Sequence, residues 1–297
     1  MAHHLNEKRV AVLGMGRMGS ALAKRLRAVG FGVIVWNRTH STAEKVARTI
    51  GAEVAETPDE AAAAADVTLS SLADDEAVRD VYTGAHGVAS GLKDGAVVAE
   101  MSTIAPRTVR EIVPEVELRN AFLLDAPVSG SVAFAEKGEL TIMVGGKRAA
   151  LERAREVLEA LSSRLFHIGG LGTGATMKLA VNALLHGLNI ALCEALVLAE
   201  EAGVERSVAY DVFAAGAVGA PFLHYKRAAF ELPDEAPTAF SLELSAKDLD
   251  LILGLAAEAG VHMHQAEATR SVVRGAVAAG LGKRDLSAVA IFLRQHH

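Results

Sequence analysis

The chain has 297 residues, enough for one large or two ordinary domains. With 51% hydrophobic and 22% charged residues it reads as globular, and a net charge of -6 without a long basic run argues against nucleic acid as a partner. The single Cys193 excludes an internal disulfide, and Glu7, Lys8 and Arg9 ahead of the first apolar run leave no signal-peptide pattern, so a cytoplasmic location is expected.

The first apolar run, 10–13, reads as a buried strand. Gly14, Met15, Gly16, Arg17, Met18 and Gly19 follow it, then a helix over 20–29 that stops at Gly30, and a second strand over 32–36. This is the pattern of a dinucleotide-binding βαβ unit, and all six residues are candidate cofactor contacts. Gly14 permits the tight turn, Gly16 leaves room for a pyrophosphate, and Gly19 lets the helix lie close on the strand. The helix N-terminus adds N–H donors and a positive dipole end. NAD-binding folds usually carry Asp or Glu at the end of the second strand, to hold the ribose 2′-hydroxyl. Here Asn37, Arg38 and Thr39 stand instead. No carboxylate repels a 2′-phosphate, the Arg38 guanidinium can pair with it, and Asn37 and Thr39 can add hydrogen bonds. NADP(H) is therefore expected to be preferred, with NAD(H) possible.

The alternation continues. A helix over 43–49 precedes a short strand over 52–55, and Pro58 starts a helix over 59–65. A strand over 67–72 and an acid-led helix over 74–82 come next, then a strand over 96–101 and a helix over 106–113. Strands over 122–128 and 140–144, a helix over 147–161 and a last strand over 165–168 complete the series. Short apolar strands separated by helices predict an α/β domain with a mostly parallel sheet covered on both faces. Leu72 and Ala73, at the end of the strand over 67–72, join the candidate cofactor contacts.

The pattern changes after Gly169, Gly170, Leu171 and Gly172. Residues 173–202 read as one helix about 45 Å long, capped by Gly203. Further helices are predicted over 206–214, 222–230, 242–259, 264–279 and 287–294. The expected domains are thus 1–170, binding the dinucleotide, and 171–297, all-helical. Within the long helix, residues 179–199 are mostly apolar and nearly long enough to span a bilayer. Yet Lys178, Asn182, His186 and Asn189 share one stripe at i, i+4, i+8 and i+11, and Glu194 adds a charge, which would be costly in hydrocarbon. A helix buried in protein with one polar edge facing a cleft is the better reading. A helix so apolar needs partners on most sides, so a homodimer is expected.

Three further segments carry candidate chemistry. The run Asp125, Ala126, Pro127, Val128, Ser129, Gly130, Ser131 leaves a strand at the edge where open α/β sheets bind ligands. Its hydroxyl and N–H donors suit an anion, although a plain serine–glycine turn reads the same way. Met101, Ser102 and Thr103 leave another strand at that edge. Lys178 sits one turn into the apolar helix with Asn182 at i+4. Partial burial or a neighbouring cation would bring its amine down from about 10.4, so that it could protonate a carbonyl oxygen as hydride arrives. A surface helix lysine is the alternative. Lys247 and Asp248 read from the sequence alone as a solvated pair. No metal site is visible: CxxC and HxxxH are missing, and His262 and His264, two apart, would lie on different faces of a helix. The terminal His3, His4, His296 and His297 are given no function.

These segments, in order and at matching spacing over 9–293, resemble the β-hydroxyacid dehydrogenases. The resemblance is carried by the turn at 14–19, Met101-Ser102-Thr103, the segment at 125–131, the run Gly138-Glu139-Leu140-Thr141-Ile142-Met143-Val144-Gly145-Gly146, the segment at 172–182, and Lys247-Asp248. It implies an α/β Rossmann domain followed by an all-α domain that dimerises, with the cleft between them. It also implies hydride exchange between NADP(H) and a small β-hydroxy acid or its semialdehyde or oxo acid. Lys178 would be the catalytic lysine, and Asn182 would hold the substrate and orient it. Ser129 and Gly130 would bind the substrate carboxylate, Thr103 the nicotinamide ribose, and Lys247 the cofactor near the nicotinamide. Ser129-Gly130-Ser131 and Met177-Lys178-Leu179 look more like the glyoxylate/succinic semialdehyde reductase branch than the 3-hydroxyisobutyrate dehydrogenase branch. The related imine reductases share the glycine turn and the Asn37-Arg38-Thr39 segment but typically lack the lysine and the Ser-Gly pattern, and remain an alternative. A non-catalytic NADP-binding module is another, although it would need none of Lys178, Asn182 and Ser129.

Overall fold

The computed structural model describes residues 8–296, so His3, His4 and His297 lie outside the described residues. The chain forms two compact units, the first ending at Lys178 and the second starting at Leu179.

Among the described residues the first unit holds nine strands: β1 (Arg9–Leu13), β2 (Gly32–Trp36), β3 (Glu53–Val54), β4 (Val67–Ser70), β5 (Val97–Glu100), β6 (Phe122–Asp125), β7 (Val128–Ser129), β8 (Leu140–Gly145) and β9 (Ser162–Gly169). They make one sheet in the order β3-β2-β1-β4-β5-β6-β8-β7, with β9 also paired to β8. The ladders from β3 to β6 are all parallel, as is β8 with β9, while β8 runs antiparallel to β6 and β7. The central strands are short Val, Ala, Leu and Ile runs because both faces are covered. The covering helices are α1 (Arg17–Ala28), α2 (His40–Ile50), α3 (Pro58–Ala63), α4 (Asp75–Thr83), α5 (Val88–Gly91), α6 (Pro106–Glu117), α7 (Val132–Lys137) and α8 (Arg148–Leu161). Local chemistry starts them: Pro58 opens α3 behind a Thr57 cap on Glu60 N, and Asp74 caps α4 at Ala77 N.

Several elements depart from the sequence expectation. The strand expected over 122–128 is two strands, because Pro127 has no N–H for the ladder and breaks it between β6 and β7. The short helices α5 and α7 were not expected; four and six residues give too little periodicity to register. Strand β9 begins at Ser162 rather than 165, and its alternating exposure is that of a half-covered strand, which hides among polar residues.

The second unit is helical. Helix α9 (Thr173–Glu201) starts in the first unit and runs into it, followed by α10 (Arg206–Ala215), α11 (Pro221–Glu231), α12 (Leu242–Ala259), α13 (His264–Ala276) and α14 (Val289–Gln295). Leu192, Cys193, Leu196 and Val197 of α9 pack with Tyr210, Phe222, Leu249 and Ile252 in its core. Helix α9 has the length and hydropathy of a bilayer span, yet its Asn182, His186 and Asn189 are buried inside this unit. The helix expected over 264–279 gives way after Ala276 to a wider turn over 277–281, where Gly280 takes φ +87°.

Candidate active site

Because β1, β2, β4, β5 and β6 are parallel, the residues that follow each of them emerge at one edge of the sheet. The turn at 14–19, Asn37 to Thr39, Leu72 and Ala73, Thr103, and the segment leading to Ser129 are thereby gathered at that edge. It is the edge at which open α/β sheets take ligands.

The three glycines of the turn differ in what surrounds them. Gly14 has φ +91°, and a methyl group there would overlap the carbonyl oxygen of Ser71. A methyl on Gly19 would overlap the carbonyl oxygen of Gly14, so strand and helix touch backbone to backbone. At Gly16 a methyl would meet nothing within 4 Å, and no side chain caps the N-terminus of α1 that Gly16 opens. An uncapped helix start facing open space fits a pyrophosphate. Asn37 Oδ1 accepts a hydrogen bond from Met15 N at 2.9 Å, and Asn37 Nδ2 donates to Thr39 O at 3.1 Å. The asparagine therefore braces the turn through Oδ1 and its own loop through Nδ2. Arg17, Arg38 and Thr39 are exposed, and Met18 is half-buried.

A buried carboxylate that the sequence reading missed supports the next two loops. Glu100, 1% exposed, accepts from Ser70 Oγ at 2.6 Å and from Ser102 N at 2.7 Å. Ser70 Oγ also lies 2.7 Å from Tyr82 Oη, and Leu72 N donates to Ser102 Oγ at 2.7 Å. Burial pushes the Glu100 carboxyl above its ordinary range, opposed by the Ser102 and Ser70 hydrogen bonds. The network locks the loop carrying Leu72 and Ala73 to the loop carrying Thr103.

Ser129 ends β7 and is half-buried; Gly130 follows with φ +135°, where a methyl would lie 2.8 Å from Leu140 Cδ2. The residue that opens this segment, Asp125, turns its side chain to α9. Its Oδ1 accepts from Gly172 N and its Oδ2 from Ala175 N, both at 2.8 Å. Burial raises the Asp125 carboxyl, and these N–H bonds oppose the rise. Lys178, half-buried, lies three residues beyond Ala175 on the same helix.

In the second unit, Asn182 Nδ2 donates to Asp248 Oδ2 at 2.6 Å, and Lys247 Nζ lies 3.2 Å from Asp248 Oδ1. His186 Nε2 is 3.9 Å from Asp248 Oδ2, its ring 5.8 Å from that of Phe240. The solvated reading of Lys247-Asp248 is thus corrected for the aspartate, which is 1% exposed. Its signal was in the sequence: Leu242, Ser245, Asp248, Ile252 and Ala256 share the buried stripe of α12. Asn189, on the same face of α9, donates to Leu286 O at 3.0 Å. His262 and His264 also depart from expectation. Helix α13 starts only at His264, and the two rings stack 6.1 Å apart. Among the described residues no group of three or more His, Cys, Asp or Glu side chains is placed to hold a metal.

A second buried charge network was not foreseen. Lys226 Nζ lies 2.8 and 2.6 Å from the two carboxylate oxygens of Asp285, which also accept from the backbone N–H groups of Ala239, Phe240 and Ser287. Burial raises the Asp285 carboxyl, but the Lys226 charge and these bonds outweigh it and hold the carboxyl below its ordinary range.

The chain is similar to known proteins over nearly its whole length. Residues 9–169 match the family model for the NAD binding domain of 6-phosphogluconate dehydrogenase, and residues 172–293 that for the NAD-binding of NADP-dependent 3-hydroxyisobutyrate dehydrogenase. The chain is 34% identical to glyoxylate/succinic semialdehyde reductase 1 of Arabidopsis thaliana, over 94% of this chain and 96% of that one. It is 33% identical to the 3-sulfolactaldehyde reductase of Escherichia coli, over 94% of each. The structure of Mycobacterium tuberculosis 3-hydroxyisobutyrate dehydrogenase superposes with a TM-score of 0.85 at 31% identity, covering 97% of this chain and 99% of that one.

Proposed function

This chain belongs to the β-hydroxyacid dehydrogenases, oxidoreductases that bind NAD(P) and act on hydroxyl groups, and from that premise we propose that it interconverts a small β-hydroxy acid and the corresponding semialdehyde or oxo acid with NADP(H). The observation that carries the reading is Lys178 itself, set in the first turns of a helix whose start is hydrogen-bonded to Asp125, on the chain segment that leads to Ser129.

The glycine turn and the start of α1 hold the pyrophosphate, and Leu72, Ala73 and Thr103 complete the cofactor contacts of the first unit. With Asn37 engaged at the turn, Arg38 and Thr39 are the groups that take the 2′-phosphate and set the preference for NADP(H). The bound nicotinamide supplies or takes up a hydride. The Ser129 hydroxyl and the Gly130 N–H anchor the substrate carboxylate. Lys178 protonates the carbonyl oxygen during reduction and removes that proton during oxidation. Asn182, fixed by Asp248, holds the substrate beside the lysine.

The test is a panel read by nicotinamide absorbance: succinic semialdehyde, glyoxylate, methylmalonate semialdehyde, 3-sulfolactaldehyde and one cyclic imine, each with NADPH and with NADH. Turnover of a carboxylated aldehyde, with kcat/KM higher for NADPH, is expected. Turnover of the imine alone would move the chain to imine reduction, and better use of NADH would remove the role given to Arg38.

The proposal extends to a homodimer. In the second unit Leu184 and Leu198, 78% and 72% exposed, stand fourteen residues apart on α9 with exposed Ala191 midway, and Val208 and Val212 are also exposed. A row of apolar side chains at seven-residue spacing suits a partner helix. A monomeric mass by light scattering would refute this assembly.

A further inference from the structure

The start of α9 is fastened to the sheet rather than capped by its own sequence. Ala175 N, a donor that a helix usually offers to a Ser, Thr, Asp or Asn side chain just ahead of it, and Gly172 N beside it are bonded instead to a carboxylate 50 and 47 residues away. Each carboxylate oxygen takes one donor, so the two bonds fix both the height and the rotation of the first turn. The backbone is pressed against the strand ends as well. A methyl on Gly174 would lie 2.5 Å from the carbonyl oxygens of both Asp125 and Met143. Asp125 is buried, and burial works against its charge. A neutral cap would complete the helix start without that cost, which points to a positional role for the carboxylate.

From this geometry we propose that Asp125 is a positioning residue for Lys178. Lys178 lies about 4.5 Å along the helix axis from Ala175, less than one turn away, so a shift of the first turn carries the amine with it. Ser129 lies only four residues beyond Asp125 in the chain. The inference rests on the catalytic reading of Lys178 given above.

A double-mutant cycle tests it. Asp125→Asn keeps the shape but turns one oxygen into an amide that faces an N–H of the helix. Expected is a fall in kcat on the order of 10²-fold, the size that a displacement of about 1 Å can cause, with NADPH affinity by fluorescence titration changed less than about twofold. In the Lys178→Ala background the same substitution is expected to leave the residual kcat within about twofold, because nothing is left to position. Equal losses in both backgrounds, or no loss in the parent, would overturn the positioning role while leaving the catalytic role of Lys178 standing. Full turnover in Lys178→Ala would remove the catalytic reading, and the inference with it. If Asp125→Asn does not fold by circular dichroism, Asp125→Glu enters the same cycle. Its longer side chain displaces the turn while keeping the charge, and the same non-additive pattern is expected.

Discussion

Lys178→Ala is expected to lower kcat by roughly 10²- to 10⁴-fold while NADPH affinity stays near that of the parent protein. Hydride addition to a carbonyl leaves an alkoxide, and without a positioned acid its proton must come from water. The groups proposed to hold the cofactor lie on the glycine turn, at Arg38 and Thr39, and at the ends of β4 and β5, and do not include Lys178. Loss of the amine should therefore appear in kcat and not in cofactor affinity. Lys178→Arg is the sharper variant. It retains the positive charge, but a guanidinium does not give up its proton, so it supplies the attraction without the transfer. Steady-state kinetics in both directions with a fluorescence titration of NADPH decide the matter. Undiminished kcat in Lys178→Ala would exclude the lysine from the chemistry.

Asp285→Ala is expected to cost the second unit about 3–5 kcal/mol and to lower its unfolding midpoint by roughly 10 °C or more. The substitution strands the buried Lys226 ammonium and removes the acceptor of the Ala239, Phe240 and Ser287 N–H groups. Those contacts tie α11, the segment before α12, and the segment before α14 to one point. Lys226→Met should cost less, because the carboxylate keeps its three backbone donors and the methionine fills the space of the lysine stem. Differential scanning calorimetry of the two variants gives the ranking. A midpoint for Asp285→Ala within about 2 °C of the parent would show that the pair contributes nothing net.

The buried carboxylates mark where sequence reading stops. Strands β1, β4 and β5 announce themselves as local apolar runs, and the helices between them by periodicity and by caps such as Thr57 and Asp74. The glycine turn and the lysine at the head of α9 are legible for the same reason, since their signal lies within a few neighbouring residues. Asp285 and Lys226 are 59 residues apart, and Asp125 and Ala175 are 50 apart. Nothing in either flank names the partner. Glu100 is a variant of the same difficulty: it is the one charged residue within the strand read over 96–101, and only the sheet order brings Ser70 and Tyr82 to it. Asp248 was within reach, because the helical period of its own neighbours already put it on the covered face.

The glycine turn at 14–19 has a consequence for lineages that carry it. Two of its three glycines are demanded by the joint between β1 and α1, since Ser71 and Gly14 leave no room for a side chain at Gly14 or Gly19. Any descendant that keeps this corner must keep those two, whether or not it still meets a coenzyme. Gly16 alone is answerable to the ligand, because the space beside it belongs to no atom of the chain. A descendant released from redox work would be free to drift first at that position, with the rest of the fingerprint intact as a fossil of the fold.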